Sequence, residues 1–406
     1  MLKNTNINSN KKLDLLILVG GKGTRIKKYL RGLPKPMLKF NNKFFLNYII
    51  NFASKYNLNK IYLLTGYKSN IIYRKFHNKT FNFVKIECIK EKKEMGTAGA
   101  LNSLKNKIND FILLNGDTLF DIDYLKLIKS LDKNNYGTMS LVKNLKQNSM
   151  KLNFLSVNNN LVKYNSKGSL MNGGVYFFRK EFLKFIPKKK CSLENDILPS
   201  LIHKKKINGK IFDNFFLDIG TENYYKKASR LLIKNFKRPA VFLDRDGVVN
   251  FDKGYVHKKN DFKFRPGVIK GLKYLCKHNY YIFIVTNQAG IGKKNFTLDS
   301  FNKLHIFIKE KLQNENIFID NVSFSPFHPD AKIKKYKKNS STRKPGNLMI
   351  EKIKKQWHLK LSKSFMIGDQ NSDKICAEKS GLYFEFAKKN FYHQAKSIVK
   401  KINSYF

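Results

Sequence analysis

Apolar residues along this chain gather in short runs that alternate with amphipathic stretches. Strands are expected at residues 13–19, 60–65, 83–87 and 111–114, with helices between them at 44–55, 69–76 and 97–107. Such alternation predicts a mostly parallel sheet with helices on both faces. Binding loops then gather at the carboxyl ends of the strands. Residues 172–178, with a hairpin-like stretch near 152–164, predict mixed strands added to that sheet. A second alternation starts at Ala240. Strands at 240–244, 281–286, 321–325 and 364–369 each end on a polar residue, and helices are expected at 266–277, 298–313, 347–357 and 371–380. The short basic segment NFKRP at 235–239 joins the two halves, and Pro239 stops the preceding helix. The expected division is a disordered tail at 1–12, a domain at 13–234, the linker at 235–239 and a domain at 240–406. No internal repeat is apparent.

Composition agrees with two domains of ordinary size. The chain has 406 residues and 42% hydrophobic content, enough for two cores. No apolar run approaches the roughly 18–20 residues of a membrane span, so no membrane insertion is expected. The start, MLKNTNINSNKK, lacks the apolar core of an export signal. Cys88, Cys191, Cys276 and Cys376 are scattered without disulfide-like spacing, which fits a reducing cytoplasm.

The formal charge of +51 raises the question of nucleic acid. Only nine of the 80 basic residues are Arg, and the lysines are spread over the whole length. Abundant Lys, Asn, Ile, Phe and Tyr is the bias of an A/T-rich coding sequence, so no specific nucleic-acid partner is expected. Three of the rare arginines, Arg25, Arg245 and Arg343, fall inside phosphate-type motifs, where a rigid fork of donors matters.

The first such motif is LVGGKGTRIKKYLRGLPKP, from Leu18. Gly20, Gly21 and Gly23 follow a buried strand and let backbone N–H groups approach a triphosphate, with Thr24 beside them. Arg25 can fork onto phosphate oxygens as pyrophosphate leaves, and Lys35 between two prolines offers a second cation. A lone glycine turn would carry little information. Walker A is excluded by Gly23 after Lys22, and a dinucleotide fingerprint by Ile26 at the third glycine position.

Further blocks follow in order: TGYKSNII (65–72), EMGTAGAL (94–101), NGDT (115–118), NGGVY (172–176), SLENDILP (192–199) and FLDIGTENYY (216–225). Together with GGKGTR and LPKP they make residues 13–233 resemble the sugar-1-phosphate nucleotidyltransferases, with wording closest to the D-glycero-D-manno-heptose 1-phosphate guanylyltransferase branch. The resemblance implies a Rossmann-like catalytic domain. In it Asp117 and Asp218 share one Mg²⁺. Glu94 with Gly96, Thr97 and Gly99 lines the base and sugar side, and Gly173 and Glu194 face sugar hydroxyls. The implied step is in-line attack of a sugar 1-phosphate on the nucleotide α-phosphate.

The second motif is FLDRDGVVN, from Phe242. Carboxylates after an apolar strand are costly unless used or paired. Asp244 can be a nucleophile that forms an aspartyl-phosphate. Asp246 can protonate the leaving oxygen and then activate water. Thr286 and Asn287 can hydrogen-bond the transferring phosphoryl, and Lys344 supplies a cation. Asp369 in GDQNSD is a Mg²⁺ ligand together with Asp244 and Asp246, with Asp373 as support.

This ordered set resembles the haloacid dehalogenase superfamily of phosphatases. GYVHKKNDFKFRPG (254–267), TNQAGIGKK (286–294) and FHPD…RKPGNLM (327–349) narrow it to the capless branch of heptose-1,7-bisphosphate 7-phosphatase and histidinol phosphatase. The resemblance implies a second Rossmann-like domain with a parallel sheet. Loops at 250–264 and 325–345 then select the substrate, and Arg343 grips its second polar end. Members of that branch often hold a structural zinc through C-x-H…C-x-C. The matching positions here read Ser325, Phe327, Ser340 and Thr342, which cannot supply thiolate and imidazole ligands, so no zinc is expected. His328 reads as a loop residue.

The expected protein is therefore an α/β enzyme with two consecutive activities on sugar phosphates and a nucleoside triphosphate. A phosphatase removes the 7-phosphate of a heptose 1,7-bisphosphate, and a nucleotidyltransferase activates the remaining 1-phosphate, with GTP as the expected donor. A mannose or glucose 1-phosphate enzyme fused to a histidinol-phosphatase-like domain is the enzymatic alternative. A regulatory or nucleic-acid-binding protein with inactive sites is the non-enzymatic one, against which the intact Asp244, Asp246, Asp369, Arg25 and Asp117 argue. Oligomeric state is not legible in the sequence.

Overall fold

The computed structural model describes residues 12–143 and 154–404, so residues 1–11 of the expected tail at 1–12 and residues 152–153 of the hairpin lie outside it. The described parts of Met1–Ile50, Leu58–Thr80 and Val84–Ser229 make one compact unit. Asn51–Asn57, Phe81–Phe83 and Arg230–Phe406 make the other.

In the first unit the strand Leu13–Leu18 lies near the middle of a ten-stranded sheet. It pairs in parallel with Leu58–Thr65 on one side and Phe111–Asn115 on the other. Leu15, Leu16 and Ile17 are fully buried, as a strand covered on both faces requires. Beyond Phe111–Asn115 the sheet turns mixed. Leu170–Phe178 runs antiparallel to it and to Gly137–Lys143, while Ile207–Ile211 runs parallel to the latter. The expected hairpin is Leu155–Asn158 paired with Leu161–Tyr164. The helix expected at 97–107 is instead one α turn, Gly96–Gly99, followed by the 3-10 turn Ala100–Leu104. Ser103 Oγ donates to the Ala100 carbonyl and Asn102 Nδ2 to that of Pro187, side-chain bonds that compete with a regular helix.

The second unit has a five-stranded parallel sheet in the order Asn321–Ser325, Tyr281–Asn287, Ala240–Leu243, Phe365–Gly368, Tyr383–Phe386. Side-chain alternation divides its core in two. Val241, Leu243, Ile282 and Ile284 pack into one apolar cluster, and Ala240, Phe242, Phe283 and Val285 into the other. The last strand and the helix Phe391–Ser404 were not expected. The strand YFEF is only partly buried at the sheet edge, so it carries no apolar run.

Candidate active sites

In the first unit the carboxyl ends of the central strands open into a cavity of about 870 Å³. Gly20, Gly21, Arg25, Lys35, Glu94, Gly96, Thr97, Asp117, Glu194 and Asp218 line it. Gly23, at φ 66, takes the left-handed conformation that lets the loop turn into the 3-10 segment Thr24–Tyr29, which carries Arg25. Gly23, Thr24 and Gly99 are not among the residues that line the cavity, and Thr24 is exposed. Gly173 is not among them either: it faces Phe120 and Ser140, while Asn172 and Gly174 line the cavity. Close packing of Phe120 and Ser140 against Gly173, where a Cβ would meet both at 2.6 Å, sets it there.

Asp117 follows the strand Phe111–Asn115, and Asp218 ends the short strand Phe216–Asp218. Lys35 Nζ lies 2.6 Å from Asp117 Oδ2, and the Gly220 N–H donates to Asp218 Oδ1 at 2.7 Å. Burial, then the charge of Asp117, pushes the Asp218 carboxyl up to about 6, against Lys35 and Arg25. A buried carboxyl raised by a second carboxylate beside it fits a divalent cation between the two.

Opposite them, Thr97 Oγ1 donates to Glu194 Oε2 at 2.9 Å and accepts from the Leu193 N–H. Glu94 is held by Lys22 at 2.8 Å and Lys190 at 3.0 Å. Hydrogen bonds from these lysines keep its carboxyl well below the ordinary range. Neither lysine was expected at the site. Lys22 lies within the glycine motif, but Lys190 carries no local signal.

In the second unit Asp244 follows Ala240–Leu243 and Asp369 follows Phe365–Gly368, neighbouring strands of the sheet. Ligand atoms of Asp244, Asp369 and Asp373 all lie within 4.8 Å of one another, the one such group of three among the described residues. Asp369 Oδ1 is buried without a hydrogen-bond partner. An orphaned oxygen among three clustered carboxylates fits a hard divalent cation.

Lys344 Nζ reaches Asp244 at 2.7 Å, Asp373 at 2.5 Å and the Val285 carbonyl at 2.9 Å. Burial pulls its ammonium down, but the two carboxylates outweigh that and raise it to about 12. It therefore stays a cation. Burial pushes the Asp244 carboxyl up, opposed by Lys344 and reinforced by Asp373. Asp373 does more than the supporting part expected of it. It is almost wholly buried and also accepts from the N–H groups of Asp369 and Gln370.

Three expectations change here. The carboxylate of Asp246 is not in the three-carboxylate group. It accepts from Asn250 Nδ2 at 2.9 Å, from Gln288 Nε2 at 3.0 Å and from the fork of Arg245. Arg245, fully buried, thus grips Asp246 where its motif suggested phosphate. Asn287 spends its side chain on the main chain of Lys344, donating to its carbonyl at 3.1 Å and accepting from its N–H at 3.0 Å. Thr286 remains beside Gln288, its Oγ1 accepting at 3.0 Å. Asn250 and Gln288 were missed, although both stand inside quoted motifs.

On the loop at 325–345, Thr342 Oγ1 lies 3.2 Å from Ser325 Oγ and 2.8 Å from Ser340 Oγ, so these three positions form a hydroxyl cluster. Phe327 packs edge-on against Tyr336. Arg343 is half-buried, and His328 Nδ1 accepts from the Asp330 N–H.

Residues 15–235 match the nucleotidyl transferase family, and residues 242–403 match the polynucleotide kinase 3 phosphatase family. The first half is 35% identical, over 227 residues, to D-glycero-alpha-D-manno-heptose 1-phosphate guanylyltransferase of Campylobacter jejuni, covering 52% of this chain and 97% of that one. The second half is 36% identical, over 146 residues, to D-glycero-beta-D-manno-heptose-1,7-bisphosphate 7-phosphatase of Rhodopseudomonas palustris, covering 36% of this chain and 81% of that one. This chain belongs to the nucleotidyl transferases and, through its second half, to the haloacid-dehalogenase-like phosphatases. Among solved structures, the crystal structure of HddC from Yersinia pseudotuberculosis is 28% identical with a TM-score of 0.45, covering 54% of this chain and 98% of that one. The fusion therefore joins two enzymatic activities of families that use divalent metal ions. No helix among the described residues is long and apolar enough to cross a membrane.

Proposed function

We propose that the two sites act in sequence on one sugar: residues 240–406 hydrolyse the 7-phosphate of D-glycero-D-manno-heptose 1,7-bisphosphate, and residues 13–234 then transfer GMP from GTP to the heptose 1-phosphate. The observation that carries this reading is a single chain whose halves resemble enzymes named for a D-glycero-D-manno-heptose 1,7-bisphosphate and a D-glycero-D-manno-heptose 1-phosphate. The first is named as the beta and the second as the alpha anomer, so the two steps join on a bisphosphate of the anomer that the transferase accepts.

In the phosphatase reaction an Asp244 oxygen attacks phosphorus, and the sugar oxygen leaves with a proton from Asp246. Asp246 then takes a proton from water, whose oxygen attacks the aspartyl-phosphate, releasing phosphate and restoring Asp244. Lys344 neutralises charge beside the nucleophile. In the transferase reaction an oxygen of the sugar 1-phosphate attacks the α-phosphorus of GTP and pyrophosphate leaves. Gly20 and Gly21 admit the triphosphate to the loop, and Arg25 and Lys35 neutralise its charge. Mg²⁺ would be held by Asp117 and Asp218 in one site and by Asp244, Asp369 and Asp373 in the other, and would supply screening of phosphate charge there.

The hydroxyl cluster of Ser325, Ser340 and Thr342 supports a selecting loop that works without zinc. Four free cysteines, three of them buried, support a cytoplasmic setting. The substrates are small phosphorylated molecules, and no specific nucleic acid takes part.

Incubation of the full chain with the heptose bisphosphate, Mg²⁺ and each nucleoside triphosphate tests the reading by mass spectrometry. Phosphate, pyrophosphate and a GDP-heptose are expected. Phosphate release without any nucleotide sugar would reject the transferase substrate, and no phosphate release would reject the order of steps.

A further inference from the structure

Asp246 is held by Asn250, Gln288 and Arg245, and Arg245 is itself held from behind. The Arg245 guanidinium is fully buried. Its Nε and Nη2 both reach the Asp246 oxygens, at 2.7 to 3.1 Å. Nη2 also donates to the Val256 carbonyl at 2.7 Å. The remaining arm, Nη1, points at His305 Nε2 from 3.3 Å.

A guanidinium only donates, so Nε2 must accept, and the ring proton sits on Nδ1. His305 is almost wholly buried on the helix Leu298–Asn314, with Phe301 one turn earlier packed against it. Burial, then the charges of Arg245 and Lys309, keeps its imidazole neutral. A neutral acceptor is what a buried cation with a spare N–H needs. An apolar side chain at this position would leave that arm to seek another oxygen, and the fork on Asp246 would turn with it.

We propose that His305 is a positioning residue for phosphate ester hydrolysis, acting through Arg245 to hold the Asp246 carboxyl in register with the leaving oxygen. The inference rests on Asp246 being the proton donor of the proposed reaction. Its signature is therefore a dependence on the leaving group. An alkoxide leaving a sugar phosphate needs the proton from Asp246, whereas p-nitrophenolate leaves without one. General acid catalysis is worth about 10²–10⁴-fold, and a displaced donor forfeits part of that.

The test compares kcat/KM of the full chain for heptose 1,7-bisphosphate and for p-nitrophenyl phosphate, with Mg²⁺ present. His305→Met should lower the sugar phosphate value about 10- to 100-fold and the p-nitrophenyl value by less than about threefold. His305→Gln, whose amide oxygen can accept, should recover most of the loss. Equal loss on both esters, or no loss on either, would overturn the proposal. Should His305→Met fail to give a cooperative thermal transition, Arg245→Lys takes its place, with the same selective loss expected and equal loss overturning it. Asp246→Asn separates the two levels: without a selective loss in that variant, the proton-donor reading fails and the inference falls with it. If Asp246→Asn is selective while His305→Met is not, only the inference falls.

Discussion

Asp218 carries a carboxyl that burial and Asp117 raise from 3.8 to about 6. Between those values the folded chain keeps a proton that the unfolded chain has released. Stability therefore falls as pH rises through that window, and the loss is complete above about 6. Asp218→Asn should stabilise the metal-free protein near neutral pH by roughly 1–3 kcal/mol, with no gain near pH 4 or below. Thermal unfolding with a chelator, followed across pH, measures this. Added Mg²⁺ should raise the Tm of the wild type more than that of the variant, because only the wild type keeps both carboxylates. Much of this scale was legible in advance. Asp117, Asp218, Asp244 and Asp369 could be picked out because each stands at or within a few residues of the end of an apolar run. The direction of Arg245 and the placement of Gly173 could not, because burial and close packing decide them.

At the scale of elements, the loop that opens with Gly96 depends on close approach. Gly96 sits at φ 75, and a Cβ there would lie 2.4 Å from the Cys191 carbonyl oxygen. Gly96→Ala should weaken nucleotide binding at least about tenfold while the chain still folds, since the strain is local and of order 1–3 kcal/mol. Titration calorimetry with GTP reads that loss. The hydroxyl cluster invites a second change. Thr342→Val leaves Ser325 and Ser340 without their shared partner, so the phosphatase unit should lose about 1–3 kcal/mol. The loop carrying Arg343 should loosen, raising KM for the sugar phosphate more than it lowers kcat. Elements with strong alternation were foreseen nearly to the residue, as with Ser69–Phe76 and Asn321–Ser325. The broken helix at 96–104 was not, because side-chain bonds to Pro187 and Ala100 compete there.

For the whole molecule, two separately built sites predict separable activities. Asp244→Asn should lower phosphate release by at least about a thousandfold and leave nucleotidyl transfer from heptose 1-phosphate within about twofold. Asp117→Ala should do the reverse. Assays of each half-reaction on both variants check this, and loss of both activities in either variant would contradict it. A chelator should stop both reactions and added Mg²⁺ restore them.

The order of motifs along the chain determined that it is two α/β enzymes, because phosphate chemistry needs glycine turns, cations and carboxylates at strand ends. Such local requirements leave local traces. Tertiary structure decided which groups hold those residues. Lys190 meets Glu94 across 96 positions of sequence, Lys344 meets Asp244 across 100, and His305 meets Arg245 across 60. Hydrogen bonds of a few ångströms between such distant positions exist only once the sheets have formed. No spacing rule within the chain encodes them.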